Sequence, residues 1–317
     1  MRHKASAIAA GMLLALAVPL VCPAEDLGFS TVTIPAVTDV AVTVPYNNGN
    51  KVEFTIDAGG INIGAKTVKP TVALTNGLYS GGRYYVRFTS GGADGLWTTI
   101  TSNDAVQFTL EETSALALAA AGNTFRVYRH WTVEQVFPTD QLGVSYVDGT
   151  QLLFYSNTTN GYNKSAVKIV EYVTFPSAGW DDPPYVIKPD TMFKIRNNSA
   201  SALTYSPVGL IPDHTISYLI PSGVNKDTFL GAGHPVTTTL GLTNFGDPVN
   251  GDGRTILIYN PAALTGLNRS ADRVGQYVTF PSPEWDLGHA EAIAGCTGYI
   301  FRQHVGDPGG VIRTTQP

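Results

Sequence analysis

The sequence predicts an all-β protein, with a small N-terminal β-barrel or sandwich followed by two duplicated β-units. Three observations support this fold class. Apolar and polar residues alternate in short runs separated by glycine and asparagine, which is typical of half-buried strands joined by tight turns. The chain contains 33 glycines and 20 prolines, and only one run of residues favours a helix. Finally, a ten-residue segment at positions 172–181 returns at positions 277–286.

The repeated segment belongs to a longer internal repeat. It reads Tyr-Val-Thr-Phe-Pro-Ser-Ala-Gly-Trp-Asp in the first copy and Tyr-Val-Thr-Phe-Pro-Ser-Pro-Glu-Trp-Asp in the second. The similarity extends on both sides, unlike a chance match, and a period of about 104 residues indicates a domain duplication instead of a solenoid. The further matched positions are 124–125 with 228–229, His130 with His234, 152–155 with 256–259, 161–166 with 266–271, and 193–196 with 299–302.

The segment before the repeats contains the residues of the predicted barrel or sandwich. Its strands are predicted at 52–56, 84–89, 96–101, 106–110 and 125–128. Closing these strands on each other would hide their edges. The single helix-favouring run, residues 114–121, ends at Gly122 and is long enough only for a two-turn connector.

Each repeat predicts the same two strands. Residues 152–155 and 256–259 are continuously apolar, so they are expected to be central strands covered on both faces. Residues 168–175 and 273–280 alternate instead. The alternation places Val173 and Phe175, with their counterparts in the second repeat, on one face of the strand. Proline follows directly in both copies and is expected to end the strand.

The first 24 residues have the pattern of an export signal. Residues 2–4 are basic, residues 7–21 are apolar, and residues 22–24 form a small-x-small cleavage site. We therefore expect a secreted or cell-surface protein, in the periplasm or outside the cell. A lipoprotein acylated at Cys22 is a weaker alternative, because the preceding residues lack the small side chain that usually precedes such a cysteine. No later run reaches the length of an apolar membrane helix.

Charge and cysteine content narrow the classes of partner. Removal of the signal changes the formal net charge from −5 to −7. A protein that binds a polyanion needs a concentrated basic face, so no nucleic-acid partner is predicted. Cys296 would be the one cysteine left, which excludes an intramolecular disulfide. We expect a small buried side chain at this position, with an intermolecular bridge as the alternative.

A set of aromatic and basic segments carries a family resemblance. The segments are 84–91, 95–101, 125–132, 193–198 and both Asn-(Lys/Arg)-Ser-Ala elements. In these segments the chain resembles a family of secreted, uncharacterised proteins that occur as large paralogous sets in Verrucomicrobia-type bacteria, and the similarity covers most of the mature chain. It departs after Trp180 and Trp285, where the family usually has arginine and this chain has aspartate. The resemblance implies secretion and a β-rich, repeat-containing build, and it implies no activity.

No residues form a recognisable catalytic motif. There is no Gly-x-Ser-x-Gly. His214 follows an aspartate in a proline-flanked loop, and a structural role is favoured there over a catalytic one. The matched positions of His130 and His234 favour a structural hydrogen bond repeated in each copy. His289 and Glu291 lack a third ligand at a suitable spacing. No catalytic residue, metal site or cofactor is therefore predicted.

The residues around the two repeated tryptophans are the candidate ligand-binding site: Trp180, Asp181, Trp285 and Asp286. Aromatic rings stack on sugars, and a pair of carboxylates about 5–10 Å apart can hydrolyse a glycosidic bond. Asp182 adds a second carboxylate beside Asp181. The alternative is that the indoles close the end of a core and the carboxylates are solvated turn residues.

A calcium-binding loop is the remaining metal hypothesis. Its candidate oxygen ligands are Asn244, Asp247, Asn250 and Asp252. Their spacing departs from that of calcium-binding loops, so an ordinary hairpin loop is favoured.

These observations predict four segments. They are a signal peptide at 1–24, an N-terminal β-domain at 25–122, and two β-repeats at 123–226 and 227–317. The favoured function is a secreted or cell-surface, non-enzymatic component of the envelope with a structural or adhesive role. The alternatives are a polysaccharide-binding module that uses exposed tryptophans and a glycan hydrolase, so enzymatic activity stays open. Extracellular polysaccharide or other envelope proteins are the expected partners, and no oligomeric state is predicted.

Overall fold

The computed structural model describes residues 26–139, 146–242, 253–259, 265–280 and 282–314. In these ranges the protein is almost entirely β, which confirms the predicted fold class. The predicted signal peptide and the candidate calcium ligands, residues 244–252, lie outside the described residues. Within the described ranges, no helix combines the length and the apolar character that a membrane crossing requires.

The N-terminal part of the chain forms a closed six-stranded barrel. The strands of this part are β1 (Leu27–Phe29), β2 (Val32–Ile34), β3 (Thr38–Val42), β4 (Asn48–Asn62), β5 (Thr67–Pro70), β6 (Tyr84–Phe88), β7 (Trp97–Asn103), β8 (Phe108–Leu110) and β9 (Thr124–Arg129). The order around the barrel is β4-β5-β8-β7-β6-β9. Strand β4 closes it, because its first half pairs with β9 and its second half with β5. Gly59, with a φ of +69°, lies in the second half of β4, where the register shifts.

Strand β6 is buried on both of its faces. Val86 and Phe88 lie in the barrel core among the phenylalanines of β4, β8 and β9. Successive side chains of a strand point to opposite faces, so Tyr85 and Arg87 point out of the barrel. Both are nevertheless buried. This outer face of the barrel is therefore covered by the rest of the chain.

The middle of the chain forms a five-stranded antiparallel sheet, the first sheet. The elements in this part of the chain are β10 (Trp131–Thr132), α1 (Val133–Val136), β11 (Gln151–Phe154), β12 (Lys168–Val173), β13 (Gly179–Trp180), β14 (Val186–Ile187), β15 (Phe193–Asn197), β16 (Leu203–Tyr205) and β17 (Val208–Leu210). The order of the sheet is β13-β12-β11-β15-β3. The N-terminal strands thus complete this part of the molecule: β3 pairs with β15, β2 with β16, and β1 with β17.

The C-terminal part forms the second sheet. The strands in this part of the chain are β18 (Ile216–Ile220), β19 (Lys226–Gly231), β20 (Thr238–Thr239), β21 (Thr255–Ile258), β22 (Arg273–Val278), β23 (Glu284–Trp285), β24 (Ala292–Ile293), β25 (Gly298–Gln303) and β26 (Gly310–Thr314). The order of the sheet is β23-β22-β21-β25-β19, which is the strand order of the first sheet with β19 in the place of β3. The predicted central strands, β11 and β21, occupy the middle of their sheets.

The strand pairing groups the residues differently from the predicted segment boundaries. Strand β3 was assigned to the N-terminal domain, yet it is the edge strand of the first sheet. Strand β9 belongs to the barrel, as the sequence predicts for residues 125–128, although it lies beyond the predicted domain boundary at residue 122. The barrel is therefore an insertion between β3 and β10. A comparison at one constant offset cannot find the counterpart of β19 across such an insertion, so it paired residues 228–229 with 124–125 of the barrel.

The sheets are held by separate cores and by a cluster between them. Trp180 lies in the core of the first sheet and Trp285 in the core of the second. A further cluster joins residues of both sheets, including Ala41 and Met192 from the first and Phe229 and Ile300 from the second. We call residues 32–47 with 130–205 the first unit, and residues 214–314 the second unit. The predicted helical connector at 114–121 contains only a short 3-10 helix, Leu116–Leu118.

Candidate functional site

The two candidate tryptophans are buried. The indole N–H of Trp180 donates to the carbonyl of Phe137 at 2.9 Å, and the ring contacts Tyr146 and Tyr172. Trp285 is 2% exposed and packs edge-on against Tyr277. Sugar stacking requires an exposed ring face. The burial of both rings therefore removes the basis for a polysaccharide site at these residues, and it fits the alternative of indoles that close two cores.

The candidate aspartates extend the strand pairing beside these rings. The N–H of Asp181 donates to the carbonyl of Glu171, and the N–H of Glu171 donates back to the Asp181 carboxylate, both at 2.9 Å. Asp286 makes the same two bonds with Gln276, at 2.9 and 2.7 Å. Asp182 forms an ion pair with Lys168. Each of these carboxylates therefore has a partner in the local structure, which fits the alternative of structural turn residues.

The structure shows a reciprocal contact between the two units, which the sequence analysis did not predict. In the first unit, Asp39 accepts two hydrogen bonds from Arg196 on the neighbouring strand, at 2.7 and 2.8 Å. It also accepts one at 2.8 Å from the backbone N–H of Asn268, which lies in a loop of the second unit. The Arg196 guanidinium in turn donates to the side-chain oxygen of Asn268 at 2.6 Å.

The second unit repeats this contact in the opposite direction. Asp227 accepts from Arg302 at 2.7 and 2.9 Å and from the backbone N–H of Asn163, in the first unit, at 2.7 Å. Arg302 donates to the side-chain oxygen of Asn163 at 2.9 Å. Both asparagines have positive φ, 51° and 54°, a conformation that asparagine tolerates better than most residues. Each Asn-(Lys/Arg)-Ser-Ala element therefore binds the aspartate–arginine pair of the other unit.

A buried ion pair joins the barrel to both units. Arg87 of β6 contacts Asp190 of the first unit at 2.7 Å, and the two side chains are 1% and 7% exposed. The guanidinium also donates to the carbonyl of Gly95 at 2.9 Å. The backbone carbonyl of Asp190 accepts from the N–H of Gly231, in β19 of the second unit, at 2.9 Å. Asp190 thus contacts the barrel, the first unit and the second unit at once.

Three histidines are buried, and two of them, His214 and His234, feel the charge of Arg87. Burial lowers the pKa of His130 and of His214 to about 3 and the pKa of His234 to about 4. His130 packs against Tyr85, with ring centroids 4.8 Å apart. The Nδ1 atom of His214 lies 3.4 Å from the hydroxyl of Tyr128. His130 and His234 do not occupy equivalent strand positions, because β9 and β19 lie in different sheets.

Acid is expected to destabilise the protein through these histidines. An unfolded histidine titrates near pH 6.5, so between about pH 4 and 6.5 the unfolded chain binds more protons than the folded one, and stability falls as the pH falls. From about pH 7 to 5.5 each histidine should lower the free energy of unfolding by about 1 kcal/mol. Urea unfolding of the protein and of His130→Phe at both pH values checks this. The variant should lose about 1 kcal/mol less than the parent, and equal losses would contradict the assignment.

Among the phenylalanines that the structure describes, the two most exposed lie at matching positions in the two units. Phe175 follows β12 and is 86% exposed, and Phe280 follows β22 and is 87% exposed. The alternating pattern placed them on the strand face of Val173 and Val278, but both strands end at these valines. The loops that connect β12 to β13 and β22 to β23 therefore each present a large apolar side chain to solvent. We call Phe175 and Phe280 the hairpin phenylalanines.

A cleft of 660 Å³ lies where the barrel and the two units meet. Residues 96–99, 111–112 and 114–115 of the barrel line it, together with Tyr155 and Tyr185 of the first unit and Lys226 of the second. Its volume is in the range of small-molecule sites. We call it the junction cleft. Its residues come from three distant parts of the sequence, which is why no local motif pointed to it.

The protein is classified by its fold, because comparison with known proteins supplies no relative. No protein-family profile, curated protein or solved structure was found to match the chain. In the part of the chain that the structure describes, no three histidine, cysteine, aspartate or glutamate side chains are grouped so that they could hold a metal ion. Cys296 is a buried free thiol whose pKa is raised by burial. The protein is thus defined as an all-β protein with an inserted barrel and two units of one strand order.

Proposed function

We propose that the protein is a secreted or cell-surface, non-enzymatic β-protein with a structural or adhesive role in the envelope. The observation that carries this proposal is the exposure of the hairpin phenylalanines at 86% and 87%. An exposed phenylalanine gains about 1.5–3 kcal/mol when a partner covers it. Two such side chains at matching positions supply two contact points for an apolar patch on another envelope protein.

The aspartate–arginine pairs between the units and the barrel support a rigid framework that holds the hairpin phenylalanines in place. The aspartates at the unit junctions, Asp39, Asp190 and Asp227, are each bound to an arginine and to a neighbouring unit or barrel. Such buried pairs fix one relative arrangement of the parts. The matching strand orders and the reciprocal contacts are those expected if a two-fold symmetric pair of domains had been joined in one chain by duplication.

The adhesive role is tested by replacing both hairpin phenylalanines with serine. We expect the purified protein to co-sediment with isolated bacterial envelope fragments. Phe175→Ser/Phe280→Ser should lose at least about a hundredfold in affinity, the lower bound for the burial of two aromatic rings. The matched control is Leu78→Ser/Val106→Ser, which removes two exposed apolar side chains of the barrel, 52% and 51% exposed.

Comparing the phenylalanine variant and the control variant with the parent protein shows whether binding depends on a specific contact or on exposed apolar surface in general. The control variant should retain its affinity within about threefold, because most surface substitutions have small effects. A protein that does not co-sediment and does not self-associate in sedimentation velocity would contradict the proposal. So would a double phenylalanine variant that binds as well as the parent protein.

A further inference from the structure

The junction cleft contains two buried polar side chains without a partner. Lys226 and Thr228 are two residues apart in β19, so they lie on one face of the strand, and both line the cleft. They are 8% and 5% exposed. Within the described residues, the buried Thr228 hydroxyl has no hydrogen-bond partner, and no hydrogen bond or ion pair joins the Lys226 amino group to another residue. A buried hydroxyl without a partner is costly, so together with the nearly buried lysine beside it this arrangement favours a ligand that supplies hydrogen-bond acceptors.

The electrostatics around Lys226 limit the charge of that acceptor. Burial lowers the pKa of the amino group, and the negative charge of Glu112 opposes this in part. Glu111 also lines the cleft, where it is held by Lys188 at 3.0 Å. One carboxylate on a ligand would complete the coordination of Lys226. A ligand with many negative charges would be repelled by Glu111, Glu112 and the nearby Asp190.

The remaining walls suit a hydroxylated ring. Tyr155 and Tyr185 supply aromatic surface, and Ser114, Ser156 and Thr158 supply hydroxyl groups. Aromatic surface with a few placed polar groups is typical of sites that bind small polar molecules. Hydroxyl groups both donate and accept hydrogen bonds, so they can pair with the hydroxyls of a sugar.

We propose that the junction cleft binds a sugar acid of one or two rings, a uronate, whose carboxylate is held by Lys226 and whose neighbouring hydroxyl pairs with Thr228. This site uses none of the hairpin phenylalanines, so it holds or fails independently of the adhesive role. It also differs from the predicted sugar site at Trp180 and Trp285, whose rings are buried.

Calorimetric titration with glucuronate, glucose and acetate tests the proposal. Glucuronate should bind saturably below about 10 mM. Glucose, which lacks the carboxylate, should bind at least about tenfold more weakly, and acetate, which lacks the ring, should do the same. Saturation by glucose and glucuronate alike would assign a neutral sugar site and overturn the role of Lys226. No saturable binding of glucuronate would overturn the site itself.

Two variants assign the binding to named side chains. Lys226→Met keeps the length of the side chain and removes its charge, so glucuronate affinity should fall at least about tenfold. The matched control is Lys188→Met, which removes the charge of another lysine in the cleft that is already paired with Glu111, and it should retain affinity within about threefold.

The stability of Lys226→Met separates a binding lysine from a structural one. Removal of an unpaired buried charge should leave the unfolding temperature unchanged or raise it. A lower unfolding temperature together with unchanged glucuronate affinity would overturn the proposal. If the methionine variant does not fold, Thr228→Val gives the same test, because it is nearly isosteric and should weaken glucuronate binding about threefold or more.

Discussion

Replacement of Asp190 by asparagine is expected to lower the free energy of unfolding by about 3–5 kcal/mol. The substitution leaves the guanidinium of Arg87, which is 1% exposed, buried without its counter-charge. Asparagine tolerates the positive φ of 54° at this position, so backbone strain does not contribute. Urea unfolding, followed by tryptophan fluorescence and by far-ultraviolet circular dichroism, measures the change.

Two further variants show whether the loss comes from the buried charge. Arg87→Met combined with Asp190→Asn removes the stranded charge and should recover a large part of the stability, because the penalty lies in the uncompensated guanidinium. Asp182→Asn breaks the more exposed pair with Lys168 and should change stability by less than about 0.5 kcal/mol. Equal effects of Asp190→Asn and Asp182→Asn would contradict the junction role of Asp190.

The second large effect is expected at the reciprocal contacts. Asp227→Asn and Asp39→Asn should each lower the free energy of unfolding by about 2–4 kcal/mol, since each removes a buried carboxylate that accepts three charge-assisted or backbone bonds. The two variants should resemble each other, because the contacts match in both directions. Denaturant unfolding measures both.

The control for the reciprocal contacts is Glu53→Gln. Glu53 is also bound to an arginine, Arg126 at 2.7 Å, but its carboxylate is half exposed and lies within the barrel. Its loss should cost less than about 1 kcal/mol. If only one of Asp39→Asn and Asp227→Asn were destabilising, the two contacts would not be equivalent and the two-fold arrangement would be contradicted.

The sequence predicted the parts of the fold that depend on local patterns. The alternating runs gave most of the barrel strands, and the apolar runs at 152–155 and 256–259 gave the central strands of both sheets. The repeat around Trp180 and Trp285 located matching hairpins, because each indole fills the same place in its own core. Period and propensity are sufficient for such elements.

The barrel insertion was not predicted because it is a long-range feature. Residues 38–42 form a short strand that pairs with β15, which lies about 150 residues later in the chain. No local sequence pattern encodes a pairing over that distance. A signal did exist in retrospect. Asp39 and Asp227 are each followed by a mostly apolar run, which is a sequence feature that the two strands share.

The candidate ligand-binding site was predicted at two tryptophans whose rings are buried in the structure. An aromatic residue beside carboxylates indicates a sugar site only when the ring is exposed, and exposure is not encoded in the residue type. Lys226, Asp190 and Arg87 carry no motif, since each lies in an ordinary strand or turn. Their significance comes from burial at a junction of three parts, which only the tertiary structure provides.

The most direct test of the reciprocal contact is amide hydrogen exchange at Asn163 and Asn268, measured by NMR on the native protein. Both residues lie in loops, but their N–H groups donate to buried carboxylates of the opposite unit at 2.7 and 2.8 Å. We expect both amides to exchange at least about a thousandfold more slowly than an unstructured chain. Exchange of either amide at nearly the unstructured rate would contradict the account of two units that bind each other in both directions.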